Sequence, residues 1–176
     1  AAAQLGCATA TRAAMQLIYL DIASARKLAA SGAAVKLTQG RLALGAGRYD
    51  AVPIVPAPAG VRVPRVFVAE GPETALSVAS AYPETPVYAA LGVGFIRGFG
   101  GVDAAEVVIC RENDANGAHI AREIARAKQA LATRFARVRE VWPPAGYNDF
   151  NDVHQQHPGG AGTAIIRAHM DATLLV

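Results

Sequence analysis

The stretch Glu106-Val107-Val108-Ile109-Cys110-Arg111-Glu112-Asn113-Asp114-Ala115-Asn116-Gly117 decides how this chain is read. Val107 to Cys110 is a short, apolar, largely β-branched run, the pattern of a strand buried on both faces. It breaks off into two carboxylates, Glu112 and Asp114, then Asn116-Gly117, then a helical pattern. Open α/β sheets bind their ligands just past the carboxyl ends of the strands, so these acids stand where chemistry is placed. Their oxygens suit a hard divalent cation such as Mg²⁺. A polar strand-to-helix turn with an Asx cap has the same local signature, so the decision comes from the rest of the chain.

Downstream, Ile120, Ile124, Ala127, Leu131 and Phe135 recur at the spacing of an amphipathic helix, with Arg122, Arg126 and Lys128 off the apolar stripe. Val138 to Trp142 reads as a further strand, stopped by Pro143-Pro144. Upstream, Arg65-Val-Phe-Val-Ala is a buried strand ended by Glu70-Gly71. Pro72 fits the first position of a helix, and Glu73 the first turn, where the macrodipole favours an anion. That helix runs through Thr74 to Ala81, and Pro86 to Leu91 is another strand, turned by Gly92-Val93-Gly94 into a short segment to Phe99. Strands alternating with helices predict βαβ units and a parallel sheet.

The first third differs. Met15 to Asp21 reads as a strand, Ala23 to Ala30 as a helical turn or loop, and Ala34 to Thr38 as a half-exposed strand. Gln39-Gly40 would turn that strand into a hairpin with Arg41 to Leu44. Pro53, Pro56, Pro58 and Pro64 mark residues 45–64 as irregular. The expected organisation is a basic, β-rich N-terminal subdomain with linker (1–64), an α/β domain (65–155) and a helical C-terminal tail (156–176).

At 176 residues, 52% hydrophobic and 18% charged, the chain is that of a folded protein with one sizeable core. No apolar run approaches the roughly 18–20 residues of a membrane span, and the alanine-rich start lacks a signal peptide's apolar centre. Cys7 and Cys110 have no Cys or His at ligand spacing, which suggests reduced thiols, no zinc site and a cytoplasmic setting. The net charge of +3 is unevenly spread. Residues 1–65 carry eight basic and two acidic side chains, and residues 66–176 carry nine and twelve. A basic segment joined to an acidic one suits a polyanion held beside a metal-binding carboxylate cluster, although scattered cations are also ordinary solvated surface.

Three strand ends now deliver carboxylates: Glu70, then Glu112 with Asp114, then Asp149 and Asp152 beyond the last strand. In a parallel sheet the carboxyl ends share one edge, so these acids can converge. Crowded carboxylates repel unless a cation neutralises them, which predicts a bound metal. His119, His154, His157 and His169 read as surface residues, and Tyr147 and Phe150 as packing for the last turn, with base stacking as the alternative.

The same residues carry a resemblance. Glu70-Gly71 after an apolar strand, acid-x-Asp-x-x-Gly at 112–117 and Asn148-Asp149-Phe150-Asn151-Asp152 together resemble a Toprim domain, the module shared by topoisomerases and primases. Val68 to Ser77 and Gly146 to Val153 are similar to the Toprim region of primases and primase–helicases of phages, plasmids and integrated elements. Met15 to Asp21 and Gly32 to Leu37 resemble the segment preceding it. The resemblance implies an α/β Toprim-like (Rossmann-like) parallel sheet flanked by helices and a DNA primase activity using Mg²⁺ or Mn²⁺. It implies that Glu70 is the general acid/base and that Glu112 and Asp114 are metal ligands, with Asp149 or Asp152 in support. Single-stranded DNA template and nucleoside triphosphates would be the partners, with a helicase domain in the full-length protein. Lys36, Arg41 and Arg97 are candidates for holding template or triphosphate.

Two positions depart from the family's usual pattern: Glu112 where Asp is common and Arg111 where a small residue is common. Glutamate still ligates, with altered reach, whereas Arg111 offers Glu70 or Glu112 an internal counter-ion in place of a metal. The rival readings are a Toprim-type nuclease and a nucleic-acid-binding module without turnover.

Overall fold

The structure, a computed structural model, describes residues 15–18, 20–21, 26–27, 36–39, 51–113 and 117–175. The chain divides into two compact units, Ala1–Gly47 and Arg48–Val176. In the first unit, β1 (Met15–Ile18) pairs antiparallel with β4 (Lys36–Gln39), and β2 (Leu20–Asp21) with β3 (Arg26–Lys27). The strand at 36–39 therefore pairs with β1, while its expected partner at Arg41–Leu44 lies outside the described residues. Arg26–Lys27, read as loop or helical turn, is a short strand because it has Leu20–Asp21 to pair with.

The second unit is built on a five-stranded sheet in the order β5-β7-β6-β8-β9. The strands are β5 (Val52–Val55), β6 (Val63–Ala69), β7 (Val87–Ala89), β8 (Ala104–Cys110) and β9 (Arg137–Val141). All neighbours are parallel except β5, which pairs antiparallel with β7 at the edge. The prolines at 53 and 56 suggested irregular chain, yet residues 52–55 form this edge strand, where a missing N–H is tolerated. The unit thus begins near residue 48, ahead of the boundary expected at 64.

Side-chain alternation in the central strands explains the layers. Phe67, Ala69, Val108 and Cys110 face one apolar cluster, and Val66, Val68, Val107 and Ile109 the other. On the first face pack α1 (Pro72–Ala81), α4 (Phe150–Gln156) and α5 (Ala161–Leu174). On the second lie α2 (Val93–Ile96) and α3 (Gly117–Leu131), which buries Ile124, Ala127 and Leu131. The helical pattern seen as far as Phe135 stops at Leu131. Phe135 nevertheless stays in the core, stacked on Phe99 with ring centroids 6.0 Å apart. Helix α5 is part of the core through Ile166, Met170 and Leu174. Phe150, fully buried, packs the last turn against the sheet. No helix among the described residues is long and apolar enough to cross a membrane.

Candidate metal centre

The strand order fixes where the site lies. β6 is followed in sequence by β7 on one side and, after a crossover, by β8 on the other. The chain therefore switches direction between β6 and β8, and the loops leaving their carboxyl ends part to open a crevice. The parallel register sets Ala69 beside Cys110, so Glu70 and Glu112 leave adjacent strands at the same rim.

Both side chains line one cavity of about 10 Å³, together with Val93, Ile96, Cys110, Arg111, Ile120 and Ile124. That is close to the ~10–15 Å³ that a single water needs. Glu112 is fixed from the α1 side, where Thr74 Oγ1 in the first helical turn donates to Glu112 Oε1 at 3.2 Å. The Glu70 carbonyl accepts from Gly92 N at 3.1 Å, tying the β6 end to the turn after β7. Gly92 has φ +151°, and an added Cβ there would meet the Phe95 ring at 3.2 Å, so the turn requires glycine.

Asn113 joins this rim to the loop beyond β9. Its N–H donates to Asn148 O at 2.7 Å and its Nδ2 to Tyr147 O at 2.7 Å. That loop carries Asp149 and Asp152. Asp149 is the N-cap of α4 and its Oδ1 accepts from Asp152 N at 2.8 Å, while Asp152 Oδ2 accepts from Asn148 N at 2.9 Å. The two aspartates thus form a reciprocal cap that orders the loop. Each has one oxygen in that cap.

Arg111 has partners beyond those the sequence suggested. Its N–H extends the β8–β9 ladder to Val141 O at 2.8 Å, and alternation carries its side chain to the α3 side of the sheet, with Ile109. There its Nη1 meets Glu140 Oε1 at 2.6 Å and its guanidinium lies 4.1 Å over the Trp142 ring. Lys128 Nζ holds the other oxygen, Oε2 of Glu140, at 2.9 Å. Burial alone would raise the Glu140 carboxyl. The two cations reverse this and hold it below the usual carboxylate value. Arg111 thus pairs with Glu140 and lies over Trp142, and it also lines the cavity shared by Glu70 and Glu112.

Of the other residues singled out, Arg97 follows α2 and is half-buried, with its carbonyl accepting from Arg134 Nη2 at 2.7 Å. Lys36 lies in β4 opposite Ile18. Asp114 and Arg41 lie outside the described residues. The C-terminal histidines, read as solvated, each hold a partner: His157 Nε2 with Tyr147 Oη at 2.6 Å, His154 Nε2 with Thr163 Oγ1 at 2.9 Å, and His169 Nε2 with the Trp142 carbonyl at 2.9 Å. Thr74, Asn113 and Glu140 were not singled out from sequence. Only Glu140 left a signal there, as an acid inside a strand.

The donor set fits a hard divalent cation. Glu70 and Glu112 offer carboxylate oxygens, the ligand type Mg²⁺ prefers, to a space sized for one small ion or water. Arg111 shares the lining, so the charge balance of the cavity includes a guanidinium beside the two carboxylates. Among the described residues no group of three acids or histidines is gathered tightly enough to enclose an ion. Two carboxylates with water are a normal Mg²⁺ site, because this ion keeps much of its hydration shell.

A family model described as a Toprim domain matches residues 65–159, from β6 through α4. No curated protein and no solved structure matches the chain significantly.

Proposed function

The chain belongs to the Toprim family, whose domains process nucleic acid with divalent metal ions, and from that premise we propose that it transfers nucleotides in primer synthesis, as the Toprim part of a mobile-element DNA primase. The observation that carries this reading is the convergence of Glu70 and Glu112 on one small cavity at the switch point of the sheet. Glu112 and Asp114 would hold the ion, with Asp149 and Asp152 supporting it from the capped loop. When bound, such an ion neutralises phosphate charge that the protein's own acids would otherwise repel.

The chain's own residues do the rest. Glu70 stands at the rim as the base that takes the proton from a primer 3′-hydroxyl as its oxygen bonds to the α-phosphorus. The bond to pyrophosphate breaks and pyrophosphate leaves, so charge and atoms balance. Thr74 fixes Glu112, which limits the freedom of the ligand before substrate arrives. Lys36, Arg41 and Arg97 supply cationic contacts for template or triphosphate, a role supported by the basic balance of residues 1–65.

The test is incubation of the full chain with single-stranded DNA, labelled ribonucleoside triphosphates and Mg²⁺ or Mn²⁺. Short labelled oligomers that vanish in Glu70→Gln support the reading. Shortened DNA without oligomers would replace it with a nuclease. Neither product would leave a binding module.

A further inference from the structure

Beside the acidic cavity lies a larger groove, about 510 Å³, between α3 and the end of β9. Its walls include Ile120, Ile124, Lys128, Arg111 and Trp142, and it reaches Glu112, which also lines the acidic cavity. We infer that this groove is a stacking site for an unpaired nucleobase, with the Trp142 indole as its platform. The inference deepens the function proposed above, since a base held here has its phosphates next to Glu112.

Four observations carry it. Trp142 is 43% exposed although its neighbour Val141 is fully buried. An indole left open to water at a strand end is a surface that gains by being covered. The ring is nonetheless held in place. Arg111 lies over it at 4.1 Å, Arg111 is fixed by Glu140, Glu140 by Lys128, and the Trp142 carbonyl by His169 at 2.9 Å. A platform already ordered loses little freedom on binding.

The groove is also the right kind of surface. One wall is the apolar side of α3, while Glu140 and Glu112 together offset the charges of Arg111 and Lys128. Such a lining suits a flat, uncharged aromatic ring better than a phosphate. Bases stack on aromatic side chains irrespective of sequence, each worth five- to a hundred-fold or so in affinity. A duplex hides its bases within its own stack, so the ligand is either a free nucleotide or a single strand.

Trp142 is the sole tryptophan of the chain, so its fluorescence reports on this groove alone. The full chain is titrated with a ribonucleoside triphosphate, a single-stranded oligothymidylate and a blunt duplex, in chelator and then in Mg²⁺. Saturable quenching by the triphosphate or by the single strand, with none by the duplex, is expected, and the arm that quenches identifies the source of the base. For that ligand, Trp142→Ala should weaken binding about five- to a hundred-fold, measured by anisotropy of a labelled copy, and Trp142→Phe should restore most of it. Absence of quenching in both arms overturns the inference. So does binding within two-fold of wild type in a folded Trp142→Ala protein. Glu70→Gln separates the two proposals: quenching that persists in it while wild-type turnover is lost supports both. Turnover that survives Trp142→Ala with unchanged binding removes the platform alone, and quenching without turnover in the wild type removes the primase reading alone.

Discussion

Replacing Glu140 by Gln tests the electrostatics that hold Arg111 at the edge of the acid cavity. The substitution removes the charge at nearly constant shape. Arg111 Nη1 donates to Glu140 at 2.6 Å with both side chains largely buried (10% and 21% exposed), and a charge-assisted bond of that kind contributes about 1.5–3 kcal/mol. The Lys128 contact, 45% exposed on the lysine side, contributes at most about 1 kcal/mol after screening. The glutamine amide still accepts one weaker hydrogen bond, so the net loss is about 2 kcal/mol at neutral pH. For a chain of this size that lowers Tm by about 4–8 °C. The pH dependence has a definite sign. Glu140 is held below its ordinary value in the fold, so its contribution is complete above about pH 4.3, the unfolded value, and is lost as pH falls through the folded value. Thermal unfolding of wild type and variant by circular dichroism from pH 7 down to pH 3 should show curves that converge only on the acid side. A second effect follows from geometry. Arg111 already lines the cavity that Glu70 and Glu112 share, and once released from Glu140 it would compete more strongly with an ion there. The stabilisation that Mg²⁺ gives should therefore shrink in Glu140→Gln. A variant within about 1 °C of wild type at pH 7, or a gap that widens on acidification, would refute this account.

Other substitutions address the site and its supports. Glu112→Gln and Glu70→Gln should leave unfolding in chelator within about 1 °C of wild type yet remove most of the Tm gain at saturating Mg²⁺ or Mn²⁺, a gain of about 2.7 kcal/mol at a hundred times Kd. Glu112→Asp should retain it. Asp149→Ala should cost about 1 kcal/mol through loss of the α4 cap, measured by urea unfolding, whereas Asp149→Asn keeps the cap. A smaller Mg²⁺ effect in that Asn variant would mark Asp149 as a ligand. Gly162→Ala should destabilise by about 1 kcal/mol despite alanine's better helix propensity. Its Cβ would fall 2.9 Å from the His154 Cα, and backbone cannot move aside cheaply.

The sheet was legible because its central strands are apolar on both faces. Val66 to Ala69 and Val107 to Cys110 fit buried parallel strands, and their alternation with helices gives the right-handed βαβ connection. The edge strand at 52–55 was not legible, because its prolines are normally evidence against a strand and only the pairing with β7 overrides them. The convergence of Glu70 with Glu112 could be read, since it needs only that two parallel strands end at one rim. The partners of Arg111 could not. They depend on which residue of β9 stands opposite, and a register spanning some thirty residues of helix and turn leaves no local trace.

That register explains how Arg111, next to Glu112 in sequence and in the wall of the acid cavity, is also paired to Glu140. Ile109 stands opposite Glu140 in the β8–β9 ladder, and alternation puts Arg111 on the same side, one step further toward the rim, where Trp142 follows Val141. Glu112 is met by Thr74 from α1, on the other side of the sheet. Adjacent residues at a strand end are thus divided between two layers, the arginine toward α3 and the carboxylate anchored from α1. Arg111, paired by Glu140, orders the indole beside the acids. A chain with a small residue at 111 would keep the acid site and lose the fixed ring. Arg111→Ala should therefore preserve the Mg²⁺-induced rise in Tm while reducing the quenching of Trp142 by nucleotide or single strand. Loss of the Mg²⁺ effect in that variant would show that the arginine serves the acids after all.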